Sequence, residues 1–124
     1  MVTNLTVGTH LIGTPWMPPL DGAIVVFEDV GEAPYRVDRM LTQWSSAGLL
    51  DKLAGVACGR FSWIENDILP GDFSMEEVLE NRLGALGVPL VVNLPIGHGL
   101  PNQALPLGQR ARLDGRRGRL SLLP

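Results

Sequence analysis

Three short apolar runs constrain this chain more than any other feature. Ala23-Ile24-Val25-Val26-Phe27, Gly55 to Phe61 and Leu90 to Leu94 are continuous rather than alternating. Runs of that kind read as strands buried on both faces, the habit of parallel sheets. The segments between them carry helical signals. Pro34 suits a first helical turn. Val37, Met40, Leu41, Trp44 and Leu49 then supply an apolar face, with Gly48 ending the helix. Ser74-x-x-Glu77 is a capping box, which predicts a helix from Met75 to Leu86 that stops at Gly87. A shorter helix is expected from Leu5 to Ile12, capped by Thr3 or Asn4 and closed by Gly13. Thr14 to Gly22 is Pro-rich, Trp63 to Asp72 is polar, and Gly97 to Gln103 is rich in Gly, Pro and Asn, so all three read as loops. Ala111 to Leu113 and Arg119 to Leu122 pair as a hairpin around Asp114-Gly115. The expected architecture is α/β. It is a single domain over residues 1–124, with a mostly parallel small sheet, crossover helices and a C-terminal antiparallel hairpin at an edge.

Composition narrows the function classes. With 124 residues the chain can bury a real core, and its net charge of −3 argues against nucleic-acid binding. The basic residues Arg110, Arg112, Arg116, Arg117 and Arg119 fall on the hairpin around Asp114 and read as a solvated turn. Cys58 is the only cysteine and lies in an apolar strand pattern, so it reads as a buried, inert thiol. No stretch is long and apolar enough to span a membrane, and no signal peptide is visible. The two histidines lie far apart with no metal-ligand spacing around them, so neither a metal site nor a cofactor motif is expected.

The chemistry gathers at the ends of two runs. The first ends in Glu28-Asp29, and the last leads into Pro95-Ile96-Gly97-His98-Gly99. Both sit just past a strand's carboxyl end, where α/β folds build their sites. A Glu and a His presented there have the types of the orienting and proton-transfer members of a hydrolytic triad. The plainer alternatives are a solvated strand-end carboxylate and a structural loop histidine. The nucleophile is missing. Ser45, Ser46, Ser62, Ser74 and Ser121 lie at a helix end, after a strand, at a cap and in the hairpin, and none occupies a Gly-flanked strand-to-helix elbow. Asp38 is expected to pair locally with Arg36 or Arg39, while Tyr35 or Arg36 follows Glu28 closely enough to reach the site edge. His10 is given no role.

Asn4-Leu5, Leu11 to Pro15, the long block from Asp21 to Leu41, Gly59-x-Phe61, Val88-Pro89, Pro95 to His98 and Leu105 to Gly108 resemble, in order, the carboxy-terminal domain of LD-carboxypeptidases. These enzymes are also called muramoyltetrapeptide carboxypeptidases and share a family with microcin C self-immunity peptidases. The resemblance implies a swivelling β/β/α-like domain and a Ser-Glu-His triad. The Glu and His of that triad correspond to Glu28 and His98. The Ser stands on an amino-terminal nucleophile domain that is absent from these residues, so the chain alone is expected to be inactive. It further implies release of the terminal D-alanine from a murein tetrapeptide in cytoplasmic peptidoglycan recycling, and a homodimeric enzyme. Two alternatives stay open: cleavage of acylated nucleotide antibiotics of the microcin C type, and a non-enzymatic interaction domain.

Overall fold

The computed structural model describes all 124 residues. Strands β1 (Val2–Asn4), β2 (Ile24–Val30), β3 (Gly55–Ser62) and β4 (Leu90–Val91) form one parallel sheet in the order β1-β2-β3-β4. Helices α1 (Leu5–His10), α2 (Pro34–Ser46) and α3 (Met75–Leu83) are the crossovers. In a sheet whose strands add in one direction, crossovers of one hand place every helix on one face. The main core shows this: Leu5 of α1, Val37, Leu41 and Trp44 of α2, and Val78 and Leu83 of α3 bury against Val25, Phe27, Val56 and Cys58 of the sheet. Trp44 meets Phe27 edge-on at 4.9 Å, and its indole N–H donates to Thr9.

The other face of the sheet has its own smaller core. Val26, Ala57, Val91 and Ile96 pack there with Leu105, Leu113 and Leu120. The last two belong to the hairpin of β5 (Ala111–Asp114) and β6 (Arg119–Leu122). Both faces of β2 and β3 are therefore covered, which is why their sequences run apolar without alternation.

Four expectations need correction. The hairpin is a separate two-stranded sheet laid over the second face, not an edge extension. β2 continues through Val30, so Glu28 and Asp29 lie inside the strand rather than past its end. The last strand stops at Val91, because Asn93 turns to φ 60 and Pro95 has no N–H to give the ladder. A first strand, β1, precedes α1 and pairs Asn4 with Glu28. The capping box is present as read, and α3 passes into a 3₁₀ turn, Gly84–Leu86, before Gly87 at φ 71. Thr14 to Gly22 carries no strand or helix.

Candidate active site

Glu28 and Asp29 are both buried, 8% and 3% exposed, and alternation sends them to opposite faces of β2. Asp29 turns towards α1. It accepts from Asn4 Nδ2, from the Thr6 amide and hydroxyl, and from the Val30 amide, all at 2.8 Å. Asn4 in turn caps α1 by accepting from the Val7 amide. The Asp29 carboxylate is thus committed to holding β1 and α1 in place.

Glu28 faces the other side, where the segment after β4 returns over the sheet. Its Oε2 lies 2.8 Å from Nδ1 of His98 and accepts from the His98 amide at 3.2 Å. The two residues, 70 apart in sequence, converge at the carboxyl edge although β3 lies between their strands. A carboxylate only accepts, so Nδ1 is the donor in this contact, and in the neutral ring Nε2 then keeps its lone pair. The His98 side chain is 57% exposed against 11% for that of Glu28. The acid is buried and fixed, and the imidazole reaches into the open.

The loop is shaped for this contact. Gly97 adopts φ 104, and a Cβ there would sit 2.8 Å from Glu28 Oε2. A Cβ on Gly59 of β3 would lie 2.6 Å from the Ile96 carbonyl oxygen. Two glycines therefore allow the loop to lie directly on the sheet edge. The Gly97 amide donates to Asn102 Oδ1 and the Gln103 amide to the Pro95 carbonyl.

Val2, Thr3, Asn4, Glu28, Gly97, His98 and Asn102 line an open depression of about 260 Å³. Thr3 is its only lining hydroxyl, and it donates to the Asn4 carbonyl. No serine hydroxyl is hydrogen-bonded to His98. The Cys58 thiol lies under the other face, and burial pushes its pKa up to about 12, which makes it a poor nucleophile. No three His, Cys, Asp or Glu side chains cluster to hold a metal ion.

Other residues singled out in the sequence lie apart from this pair. Arg36 donates to the Tyr35 hydroxyl and stands 3.8 Å from Glu32, in a cluster that makes no bond to Glu28 or His98. Asp38 pairs with Arg82 of α3 through two bonds, at 2.6 and 3.1 Å, rather than with Arg36 or Arg39. The hairpin turn closes on Asp114, which accepts from the Arg116 and Arg117 amides. Trp16, Met17 and Leu100 are the apolar side chains expected on a face left uncovered for the nucleophile domain; Trp16 and Leu100 are 79% and 92% exposed, whereas Met17 packs against the main core. Asn102 and Arg60, which the sequence did not single out, both hold the His98 loop. No helix is long and apolar enough to cross a membrane.

The model of the LD-carboxypeptidase C-terminal domain family matches residues 1–113. A Synechocystis sp. protein named "Putative carboxypeptidase" is 52% identical over 120 residues, spanning 97% of this chain and 40% of the relative. The murein tetrapeptide carboxypeptidase of Pseudomonas aeruginosa is 37% identical over 96 residues, spanning 77% and 31%. The crystal structure of muramoyltetrapeptide carboxypeptidase from Oxalobacter formigenes superposes with a TM-score of 0.80 at 37% identity, over 98% of this chain and 42% of that one. The microcin C7 self immunity protein MccF has the same fold, with a TM-score of 0.84 at 23% identity, over 100% of this chain and 37% of that one. The chain spans about two fifths of the length of the first of these relatives.

Proposed function

The chain belongs to the LD-carboxypeptidase family through its C-terminal domain, and from that premise we propose that Glu28 and His98 are two members of a Ser-Glu-His triad completed by a second domain. The reaction is hydrolysis of the L,D bond that releases the terminal D-alanine of a murein tetrapeptide in the cytoplasm. The observation that carries the reading is the 2.8 Å contact between a buried Glu28 and an exposed His98. In a triad the acid must fix the tautomer, and the other ring nitrogen must face the nucleophile.

The steps follow from that geometry. His98 Nε2 takes the proton of a serine hydroxyl brought by the other domain as the oxygen attacks the peptide carbonyl. His98 then passes that proton to the leaving D-alanine nitrogen, and the C–N bond breaks to give an acyl-enzyme. Water attacks the acyl-enzyme by the same route and frees the shortened peptide. Glu28 stays ionised throughout, holding the ring and stabilising its imidazolium form. On this reading the nucleophile domain docks over the His98 loop, where Leu100, two residues past His98, is exposed. The active protein is a homodimer on this reading, as the family resemblance implies.

Relatives named for murein peptides, at 33–37% identity, support this substrate over an acylated nucleotide, because the likeness to MccF at 23% speaks for the fold alone. The test is a chimera in which this chain replaces the matching part of the Oxalobacter formigenes enzyme. It is expected to release D-alanine from murein tetrapeptide and to leave aminoacyl sulfamoyl adenosine intact, while the chain alone releases none. Turnover of the nucleotide in preference to the peptide would overturn the substrate. Turnover by the chain alone would overturn the shared triad.

A further inference from the structure

Arg60 breaks the alternation of β3, and the way it does so assigns it a task. Between Phe27 and Asp29 the pairing of β2 with β3 shifts register: Phe27 faces Cys58, yet Asp29 faces Phe61. β3 therefore spends three steps where β2 spends two. Cys58 and Phe61 both pack on the helix-covered face. Strict alternation would send Arg60 to the face that Cys58 occupies. The extra residue instead turns Gly59 and Arg60 towards the segment after β4, opposite Glu28. Bulges of this kind re-aim side chains and recur beside functional sites.

Arg60 then holds that segment at two points. Its amide donates to the Ile96 carbonyl at 3.0 Å, just before Gly97-His98. Its guanidinium donates to the Pro101 carbonyl at 2.8 Å, just after them. The same guanidinium nitrogen would lie 3.3 Å from a Cβ on Gly99. Arg60 forms no ion pair with any carboxylate of the chain. A fully charged, five-donor group is thus spent on one loop backbone rather than on an acid.

We propose that Arg60 is a positioning residue that bridges the two ends of the His98 loop and holds the imidazole on Glu28, a role that rests on the triad reading above. Glu28 fixes the ring from inside the sheet, and Arg60 fixes the backbone that carries the ring. The resemblance to the family leaves position 60 open between Gly59 and Phe61, so the role comes from the bulge and the two bonds.

The test uses the isolated chain and needs no turnover. In ¹⁵N-labelled protein at neutral pH, the wild type is expected to show a protected Nδ1–H on His98. Arg60→Met is expected to lose that signal and to speed amide exchange from Gly97 to Gln103 by about tenfold or more, with the β2 and β3 core amides unchanged. Arg60→Lys keeps one donor for Pro101 and is expected to retain most of the signal. In the chimera, Arg60→Met should lower kcat by up to about 10²-fold with KM nearly unchanged. An unaltered Nδ1–H and unaltered loop exchange in Arg60→Met would overturn the proposal. Loss of the whole fold in that variant would overturn it equally, because the loop and not the sheet is what Arg60 is said to hold. Normal turnover after His98→Ala would instead sink the triad reading and leave the exchange result to judge Arg60's grip on the loop.

Discussion

Glu28 and Asp29 are adjacent carboxylates on one strand with opposite employments. Asp29 spends its acceptor capacity on four donors from β1, α1 and its own strand, while Glu28 serves only His98. The apolar run by itself showed two acids without dividing these roles, since the division depends on which face each side chain takes; the family resemblance is what singled out Glu28. The sequence also read them as lying past the strand, because burial of a carboxylate is costly unless donors meet it, and donors from distant residues cannot be seen in one segment. Gly97 offers a sharp test of the close fit. Gly97→Ala puts a Cβ against Glu28 at a φ that L residues avoid, so it should cost roughly 1–3 kcal/mol and displace the carboxylate. Denaturant titration gives the first, and loss of the His98 Nδ1–H signal gives the second. Cys58 gives a pH test. Burial raises its pKa to about 12. Above the unfolded thiol's pKa the unfolded chain has lost a proton that the folded chain keeps. Stability should therefore be intact below about pH 9 and fall by roughly 1 kcal/mol per pH unit towards 12. Cys58→Ala should flatten that decline relative to wild type, and an equal slope in both would show the thiol to be accessible.

At the scale of elements, the strongest local signals fared best. The capping box, the proline at the start of α2 and the Asp114-Gly115 turn each act within a few residues, so one segment suffices to read them. Ser74 accepts from the Glu77 amide, and Glu77 accepts from the Ser74 amide. The bond from the Ser74 amide, with the Ser74 hydroxyl beside it, holds the Glu77 carboxyl below its usual pKa. Ser74→Ala should lower stability by about 1 kcal/mol, measured by denaturant, without altering the His98 loop. A change in the loop's amide exchange would show that α3 is coupled to the site. What escaped the sequence is relational. β1 has three residues and no apolar run, and it is a strand only because β2 is beside it. The bulge exists only as a mismatch between β2 and β3. The hairpin's place over the second face follows from Leu113 and Leu120, which look like any alternating strand residues until Ala57 and Val91 are seen beneath them.

For the whole molecule, the division of the sheet into two faces explains the division of labour. One face is closed by three helices and gives stability. The other is closed only partly, by the hairpin and the returning loop, and at its carboxyl edge it leaves His98 open beside Glu28. Which Glu and which His to examine was legible in advance, because both follow buried runs. That the two should meet at one edge followed from the triad reading, and they lie 2.8 Å apart; the route, a loop that crosses β3, was not legible. On the triad reading this pair moves protons for a nucleophile on another domain. D-alanine release from murein tetrapeptide by the Oxalobacter formigenes chimera, compared across Glu28→Ala, His98→Ala and the double variant, tests it most directly. Each single variant is expected to lose about 10³-fold or more in kcat, with the double variant scarcely worse than the weaker single, because triad members act as a unit. Near-normal turnover in either single variant, or losses that multiply in the double, would contradict it.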